Sequence, residues 1–162
     1  MAKSTSTVPK IGQKAPDFEL PDPDMKMHKL SDYRGKKTIL AFFPAAESPV
    51  CTAEMCALRD SIDELRDYGA SVLGISIDGP FANKFFTVNR HLNFPVLSDY
   101  NRKVIKKYGI VMKDLASLKG YNASKRAVFI LDKDGKVRYR WVSDSPLVEP
   151  NYAEIKDFLK NN

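Results

Sequence analysis

Nearly uninterrupted apolar runs, of the kind that buried strands show, recur along the chain. They are "TILAFF" (Thr38 to Phe43), "SVLGISI" (Ser71 to Ile77) and "RAVFIL", which begins at Arg126. "KVRYRWV" follows the last run after "DKDG", a strong hairpin signal. Shorter extended segments are expected at "APDFELP" (Ala15 to Pro21), in "KMHKLSDYRG" before a turn, and at "FPVLSD".

Between these runs, apolar residues recur at the 3.6-residue spacing of helices. "TAEMCALRDSIDELRDYG" predicts a helix that ends at Gly69 and places four apolar residues on one face, namely Met55, Leu58, Ile62 and Leu65. "PFANKFFTVNRHL", "NRKVIKKYG" and "NYAEIKDFLKN" predict three more helices. Strands and helices alternate before the final hairpin and helix, so the fold class is α/β, with a central mixed sheet flanked by helices.

Length and composition fit one domain. The 162 residues contain no internal repeat, and we expect a flexible polar tail at 1–10 and a single domain at 11–162. No apolar run approaches the roughly 20 residues of a membrane span, and "MAKSTSTVPK" lacks the apolar core of a secretory signal. We therefore expect a cytoplasmic protein whose thiols are redox-active rather than structural.

The formal net charge of +6 invites a nucleic-acid interpretation. Basic residues are nevertheless mixed with acidic ones almost everywhere, and the densest cluster, "RKVIKK", fits a solvated helix face. We therefore expect neither a nucleic-acid nor a membrane partner.

Both cysteines lie in "AFFPAAESPVCTAEMC", where a central strand gives way to a helix. Cys51 falls in the predicted first helical turn, which Ser48 or Thr52 would cap, so free backbone N–H groups and the helix dipole favour its thiolate form. The ends of strands are also where α/β sheets place ligands. These features favour a nucleophile at Cys51 over an inert buried thiol.

Cys56 follows five positions later. On an intact helix, residues five apart have Cα atoms roughly 8 to 9 Å apart, and a disulfide tolerates no more than about 7 Å. Either Cys56 belongs to the core, or the helix start unwinds so that an oxidised Cys51 can condense with it. The spacing alone leaves both alternatives open.

Other cysteine chemistry fits less well. The chain has no C-x-x-C, and its two cysteines and two distant histidines, His28 and His91, do not form a four-ligand zinc site. A Cys–His hydrolase is not favoured either, because neither histidine lies beside a recognisable motif.

The segment "FFPAAESPVCTAEMCALRD" resembles the active-site segment of the peroxiredoxins, with P-x-x-x-S-x-x-C at Pro44, Ser48 and Cys51. The resemblance extends from "GQKAPDFELPD" through "LSDYNRKVIKKYG" to "KRAVFILDKDGKVRYRW", and it implies a thioredoxin-like fold with an N-terminal extension. A second cysteine five residues after the first resembles the peroxiredoxin Q, or bacterioferritin-comigratory-protein, branch. There it resolves the first cysteine through an intramolecular disulfide.

The resemblance implies a role for each matching residue. Cys51 would be the peroxidatic nucleophile, and Cys56 the resolving cysteine. Ser48 would hydrogen-bond the peroxide and the thiolate, Pro44 would shield the thiolate from water, and Arg126 would stabilise the developing charge. Glu54 would orient the arginine, although an acidic residue in a first helical turn is common in any case.

Two positions depart from the family pattern. Ser48 replaces the commoner threonine and loses a methyl group that restricts its rotamer. Glu47 introduces a charge that would oppose thiolate formation if it faced Cys51, and we expect it to point to solvent.

The resemblance thus implies a thiol peroxidase that uses no cofactor or metal. It would reduce hydrogen peroxide or small organic hydroperoxides and be recycled by a thioredoxin-like dithiol protein, as a monomer or a homodimer. Two rivals are a general thiol–disulfide oxidoreductase on the same fold and a non-enzymatic holdase or basic binding module. An insulin-reduction assay distinguishes the first, and function that survives Cys51→Ser would indicate the second.

Overall fold

A computed structural model describes residues 6–162. The strands are β1 (Glu19–Pro21), β2 (Met27–Lys29), β3 (Lys37–Phe42), β4 (Ala70–Ser76), β5 (Val96–Ser98), β6 (Val111–Met112), β7 (Ala123–Ser124), β8 (Arg126–Leu131) and β9 (Val137–Ser143). The α-helices are α1 (Pro49–Asp60), α2 (Ile62–Asp67), α3 (Pro80–Asn89), α4 (Lys103–Lys107) and α5 (Tyr152–Asn161).

Five strands form the central sheet in the order β5-β4-β3-β8-β9. β3 is parallel to β4 and antiparallel to β8, which in turn forms an antiparallel pair with β9. The sheet is therefore mixed, as predicted. Since β3 lies in the middle, both of its faces are buried, which explains its continuous apolar sequence.

Side chains alternate between two hydrophobic clusters, one on each face of the sheet. One face contacts α4 and the N-terminal segment through Val104, Ile105 and Phe18. The other face contacts α1, α2, α3 and α5, whose buried residues include Met55, Leu65, Phe86 and Ile155. Helices on both faces confirm the predicted α/β architecture.

Several element boundaries differ from the prediction. The helix predicted to end at Gly69 is two helices, because Ser61 (φ −99°, ψ 1°) breaks the helical backbone between them. It begins earlier than expected, since Pro49 is accepted in a first turn, where its missing N–H is not needed. α4 is only five residues long, and Arg102 before it has a left-handed backbone (φ 59°).

The N-terminal extension forms its own small sheet. β1 spans only three residues of the predicted Ala15–Pro21 strand and pairs with β2, outside the central sheet. Of the expected tail at 1–10, residues 1–5 lie outside the described part of the chain. Val8 packs against the core, and the Arg140 guanidinium donates to the carbonyls of Val8 and Pro9.

Gly109 allows the N-terminal residues 6–8 to pass close to the end of α4. Its backbone is left-handed (φ +65°), and a Cβ atom there would lie 2.8 Å from backbone atoms of Ser6, Thr7 and Val8. Any larger residue would force the two segments apart.

Two helices differ in how they bury their apolar residues. α5 buries Ile155 and Leu159 on one face, as its spacing predicts. α3 buries Phe86 but leaves three apolar side chains exposed, namely Phe81, Phe85 and Val88. No helix among residues 6–162 combines the length and the hydropathy needed to cross a bilayer.

Candidate active site

Cys51 occupies the third position of α1, just beyond the carboxyl end of the central strand β3. Ser48 is the N-cap residue, and the first intrahelical bond runs from the Thr52 N–H to the Ser48 carbonyl. The amide of Cys51 therefore belongs to the first turn, which has no helical acceptors. The thiol is only 1% exposed, so it faces these amides and the helix dipole with little screening by water.

Arg126 brings a fixed positive charge to this thiol. It opens β8, which pairs with β3, and its side chain is 1% exposed. Its Nη1 lies 3.3 Å from Cys51 Sγ and donates to Glu54 Oε2 at 2.8 Å, while Nη2 donates to the carbonyl of Pro146. Burial opposes the charge of Arg126, but attraction to Cys51 and Glu54 raises its pKa above the ordinary value.

Glu54 is completely buried one turn after Cys51. Burial raises its pKa to about 7, although the ion pair with Arg126 partly offsets this shift. Its second oxygen, Oε1, has no hydrogen-bond partner among the described residues, and neither has Arg126 Nε. The ion pair thus fixes the position of the guanidinium, while one polar atom of each residue has no hydrogen-bond partner within the part of the chain that the structure describes.

The loop before α1 holds the other predicted site residues. Pro44 is buried, two residues beyond the end of β3. Ser48 makes no side-chain capping bond, because its hydroxyl donates to the Ala45 carbonyl at 2.8 Å. Its lone pairs remain able to accept a hydrogen bond. Thr52 lies within α1 and is not the cap, and its hydroxyl has no partner in the described chain.

The expectation that Glu47 points to solvent is only partly met. Its carboxylate is 30% exposed and pairs with Arg90 at 2.7 Å, and it also accepts from Asn89. Glu47 has a left-handed backbone (φ 65°) that turns its side chain towards the end of α3. The negative charge of Glu47, which departs from the family pattern, is therefore balanced by the positive charge of Arg90.

Cys56 lies on the same intact helix as Cys51 and is half-buried. Both cysteines are free thiols. The structure therefore joins Cys51, Arg126 and Glu54 by direct contacts, places Ser48 and Pro44 in the loop before α1, and leaves Cys56 apart from Cys51 on the helix.

Several contacts at the site were not predicted from the sequence. Asp78 Oδ2 accepts the Ala46 N–H at 2.8 Å and so anchors the loop before α1. Its position just after β4 was a usable signal, because the carboxyl ends of parallel strands meet at one edge of a sheet. Burial raises the pKa of the Tyr121 and Tyr152 hydroxyls. The negative charge of Cys51 adds to the shift at Tyr121, and that of Glu54 adds to the shift at Tyr152.

The described residues offer no evident place for a metal. Within residues 6–162, no group of three or more histidine, cysteine or acidic residues could hold an ion. The groups around Cys51 are instead hydrogen-bond donors and a fixed cation, which suit a developing negative charge.

Comparison with known proteins agrees with this arrangement. Residues 11–140 match the AhpC/TSA family. Peroxiredoxin Bcp of Escherichia coli K12 is 38% identical over 153 residues, which cover 94% of this chain and 97% of that protein. The chloroplastic peroxiredoxin Q of Populus jackii is 39% identical over 127 residues, covering 78% of this chain and 57% of that protein.

The crystal structure of peroxidoxin BcpB from Mycobacterium tuberculosis has a TM-score of 0.84 and 31% identity, and the match covers 94% of this chain and 97% of that one. Peroxiredoxins have a thioredoxin-like fold and are thiol-dependent peroxidases. With this fold, and with sequence matches along nearly its whole length, the chain belongs to the AhpC/TSA family and, within it, to the Bcp and Q-type peroxiredoxins.

Proposed function

We propose that the chain reduces hydrogen peroxide and small organic hydroperoxides through Cys51. The observation that carries this proposal is the buried contact of 3.3 Å between Arg126 Nη1 and Cys51 Sγ at the start of α1. A cation and free amides favour the thiolate, which is the nucleophilic form. Burial of the thiol favours small substrates over large ones.

The first step is an attack of the Cys51 thiolate on the terminal oxygen of ROOH. A sulfur–oxygen bond forms, the O–O bond breaks, and the leaving RO⁻ takes up one proton to become ROH. Cys51 is oxidised to a sulfenic acid and the peroxide is reduced. Arg126 stabilises the charge on the leaving oxygen, Glu54 holds Arg126 in place, Ser48 positions the peroxide, and Pro44 keeps water from the sulfur.

The second step joins the two cysteines. The Cys56 thiol attacks the Cys51 sulfenic sulfur, and water leaves as the disulfide forms. Because five helical residues separate the two sulfurs by more than a disulfide permits, residues 51–56 must first unwind. A thioredoxin-like dithiol protein then reduces the disulfide by thiol exchange. A reducing compartment suits this cycle, and cytoplasmic location remains part of the proposal.

A stoichiometric experiment tests both steps. The reduced protein, freed of reductant, receives one equivalent of hydrogen peroxide while free thiols and intact mass are followed over seconds. We expect both thiols to disappear with a mass loss of about two hydrogens and no covalent dimer. Cys56→Ser should instead retain a sulfenic acid that dimedone traps, and Cys51→Ser should keep its remaining thiol. Persistence of both thiols in the wild type would contradict the peroxidase proposal.

A further inference from the structure

A surface cavity of about 580 Å³ lies at the end of the sheet opposite to Cys51. Its walls include Lys37 and Ala70, which are register partners at the starts of the parallel strands β3 and β4. Cys51 instead follows the carboxyl end of β3. The six residues of β3 span about 20 Å at about 3.3 Å each, so the cavity is separate from the candidate active site.

Among residues 6–162, four cationic residues and no acidic residue line this cavity. The cations are Lys36, Lys37, Arg66 and Lys133. Among the described residues, none of the four has a carboxylate oxygen within 4.0 Å. Elsewhere the chain mixes its charges, whereas the described lining of this cavity contains cationic residues that form no ion pair. Such an arrangement raises the local concentration of anions.

Backbone contacts hold several of these groups in place. Lys37 Nζ donates to the carbonyls of Tyr68 and Leu159, at 3.3 and 3.2 Å. Arg66 Nη2 donates to the Asn93 carbonyl, and its other guanidinium N–H groups remain available. The Gly35 N–H donates to the Lys133 carbonyl and so ties the β8–β9 turn to the start of β3. The side chains of Lys37 and Arg66 and the backbone of Lys133 are therefore held in place before any ligand binds.

The remaining wall is aromatic. Tyr33, Tyr68 and Phe94 line the cavity, and the Tyr33 hydroxyl is fixed by His28 Nδ1 at 2.7 Å. The volume lies within the range of about 300–1,000 Å³ that small-molecule sites occupy, whereas a nucleic-acid duplex presents a surface too broad to enter. Several phosphates would match the four cations, and a ring would pack on the aromatic wall.

We propose that this cavity is a binding site for a small compound that carries a polyphosphate group, such as a nucleoside polyphosphate. The polyphosphate contacts the four lining cations Lys36, Lys37, Arg66 and Lys133. This site is independent of the chemistry at Cys51.

Isothermal titration of the full-length protein with ATP, without magnesium and at 150 mM salt, tests the proposal. We expect saturable 1:1 binding that weakens at least tenfold in the double variant Lys36→Ser/Lys133→Ser. The matched control, Lys113→Ser/Lys119→Ser, removes the same charge from an exposed loop that does not line the cavity. It should bind ATP within twofold of the wild type. Equal weakening in both double variants, or no saturable binding, would overturn the proposal.

Two further measurements separate this proposal from others. Inorganic tripolyphosphate should displace ATP, and adenosine should not bind, because the phosphate groups supply the main binding contacts. Failure of tripolyphosphate to compete, or tight binding of adenosine, would contradict an anion site. The Lys36→Ser/Lys133→Ser variant should retain its peroxidase rate, so a failure of this proposal is distinguishable from a failure at Cys51.

Discussion

Arg126 reaches three partners from the first position of β8, and a lysine at that position could not reach all of them. Its two terminal nitrogens contact Cys51, Glu54 and the Pro146 carbonyl. Arg126→Lys keeps the charge but loses this fork. We expect kcat/KM for hydrogen peroxide to fall about 10²- to 10³-fold, the range for removal of one preorganised donor. Alkylation of Cys51 by iodoacetamide at pH 6 should also become slower.

The matched control is Arg138→Lys. Arg138 lies on β9, and its half-exposed side chain forms an ion pair with Asp132. This substitution should leave both rates nearly unchanged. Equal rates for Arg126→Lys and the wild type would show that charge alone, without the guanidinium geometry, is sufficient.

Glu54 gives the free energy of unfolding a specific pH dependence. Burial raises its pKa from 4.5 to about 7. Below about pH 4.5 the folded and unfolded states both hold the proton, whereas between pH 4.5 and 7 only the folded state does. The free energy of unfolding therefore falls across this interval. The loss is on the order of 3 kcal/mol, because each pKa unit corresponds to about 1.4 kcal/mol.

Urea unfolding of the reduced protein between pH 4.5 and 8 measures this loss. Glu54→Gln cannot ionise and should lack that part of the pH dependence, while the exposed control Glu19→Gln should retain it. Parallel curves for the wild type and Glu54→Gln would show that Glu54 titrates normally.

At the scale of elements, the proposed cycle requires α1 both to hold Cys51 in place and to open. Ala53 is exposed and lies between the two cysteines. Ala53→Gly disfavours the helical state by about 1 kcal/mol. If residues 51–56 unwind before the disulfide forms, this change should speed Cys51–Cys56 disulfide formation up to about fivefold. Quenched-flow thiol counting after one equivalent of peroxide measures the rate.

Ala82→Gly places the same destabilisation on an exposed position of α3. It should leave the rate of disulfide formation unchanged. An equal acceleration in both variants would indicate a general loss of stability rather than local opening of α1.

The elements show where sequence patterns suffice and where they do not. β3, β4 and β8 were predicted to within one residue at each end, because strands buried on both faces require continuous apolar runs. The break at Ser61 was missed, because its neighbours keep helical spacing across it. β6 and β7 were missed too, since two-residue strands carry no periodicity.

The site shows the same division. The sequence of strand, proline and helix predicted the position of Cys51, and the family motif indicated Arg126 and Glu54, which the structure places in one contact network with it. The Arg90–Glu47 pair and the Asp78–Ala46 bond could not be predicted, because they join residues 43 and 32 positions apart. Only the tertiary packing of α3 and β4 beside the loop before α1 creates them.

At the scale of the whole molecule, Lys37 links two helices at the end of the sheet far from Cys51. It donates to the Tyr68 carbonyl, at the end of α2, and to the Leu159 carbonyl in the last turn of α5. A cation at two helix C-termini is favourable, and Lys37→Met leaves both carbonyls without this donor. We expect the free energy of unfolding to fall by about 1–3 kcal/mol.

Urea unfolding at neutral pH measures the loss. Lys36→Met, at the exposed neighbouring position, should change the free energy of unfolding by less than about 0.5 kcal/mol. Similar losses in both variants would assign the effect to overall charge rather than to the two carbonyl contacts.

If the protein follows the proposed cycle, the burial of Cys51 also limits how much peroxide it tolerates. Because Cys51 is only 1% exposed, a sulfenic acid formed there would stay enclosed until α1 opens. During that delay, another small peroxide can enter by the same route and drive the sulfur to the irreversible sulfinic acid. In the proposed cycle, the opening rate of one helical turn would therefore set the oxidant dose at which the protein inactivates. Ala53→Gly, by opening that turn sooner, should shift the dose upwards.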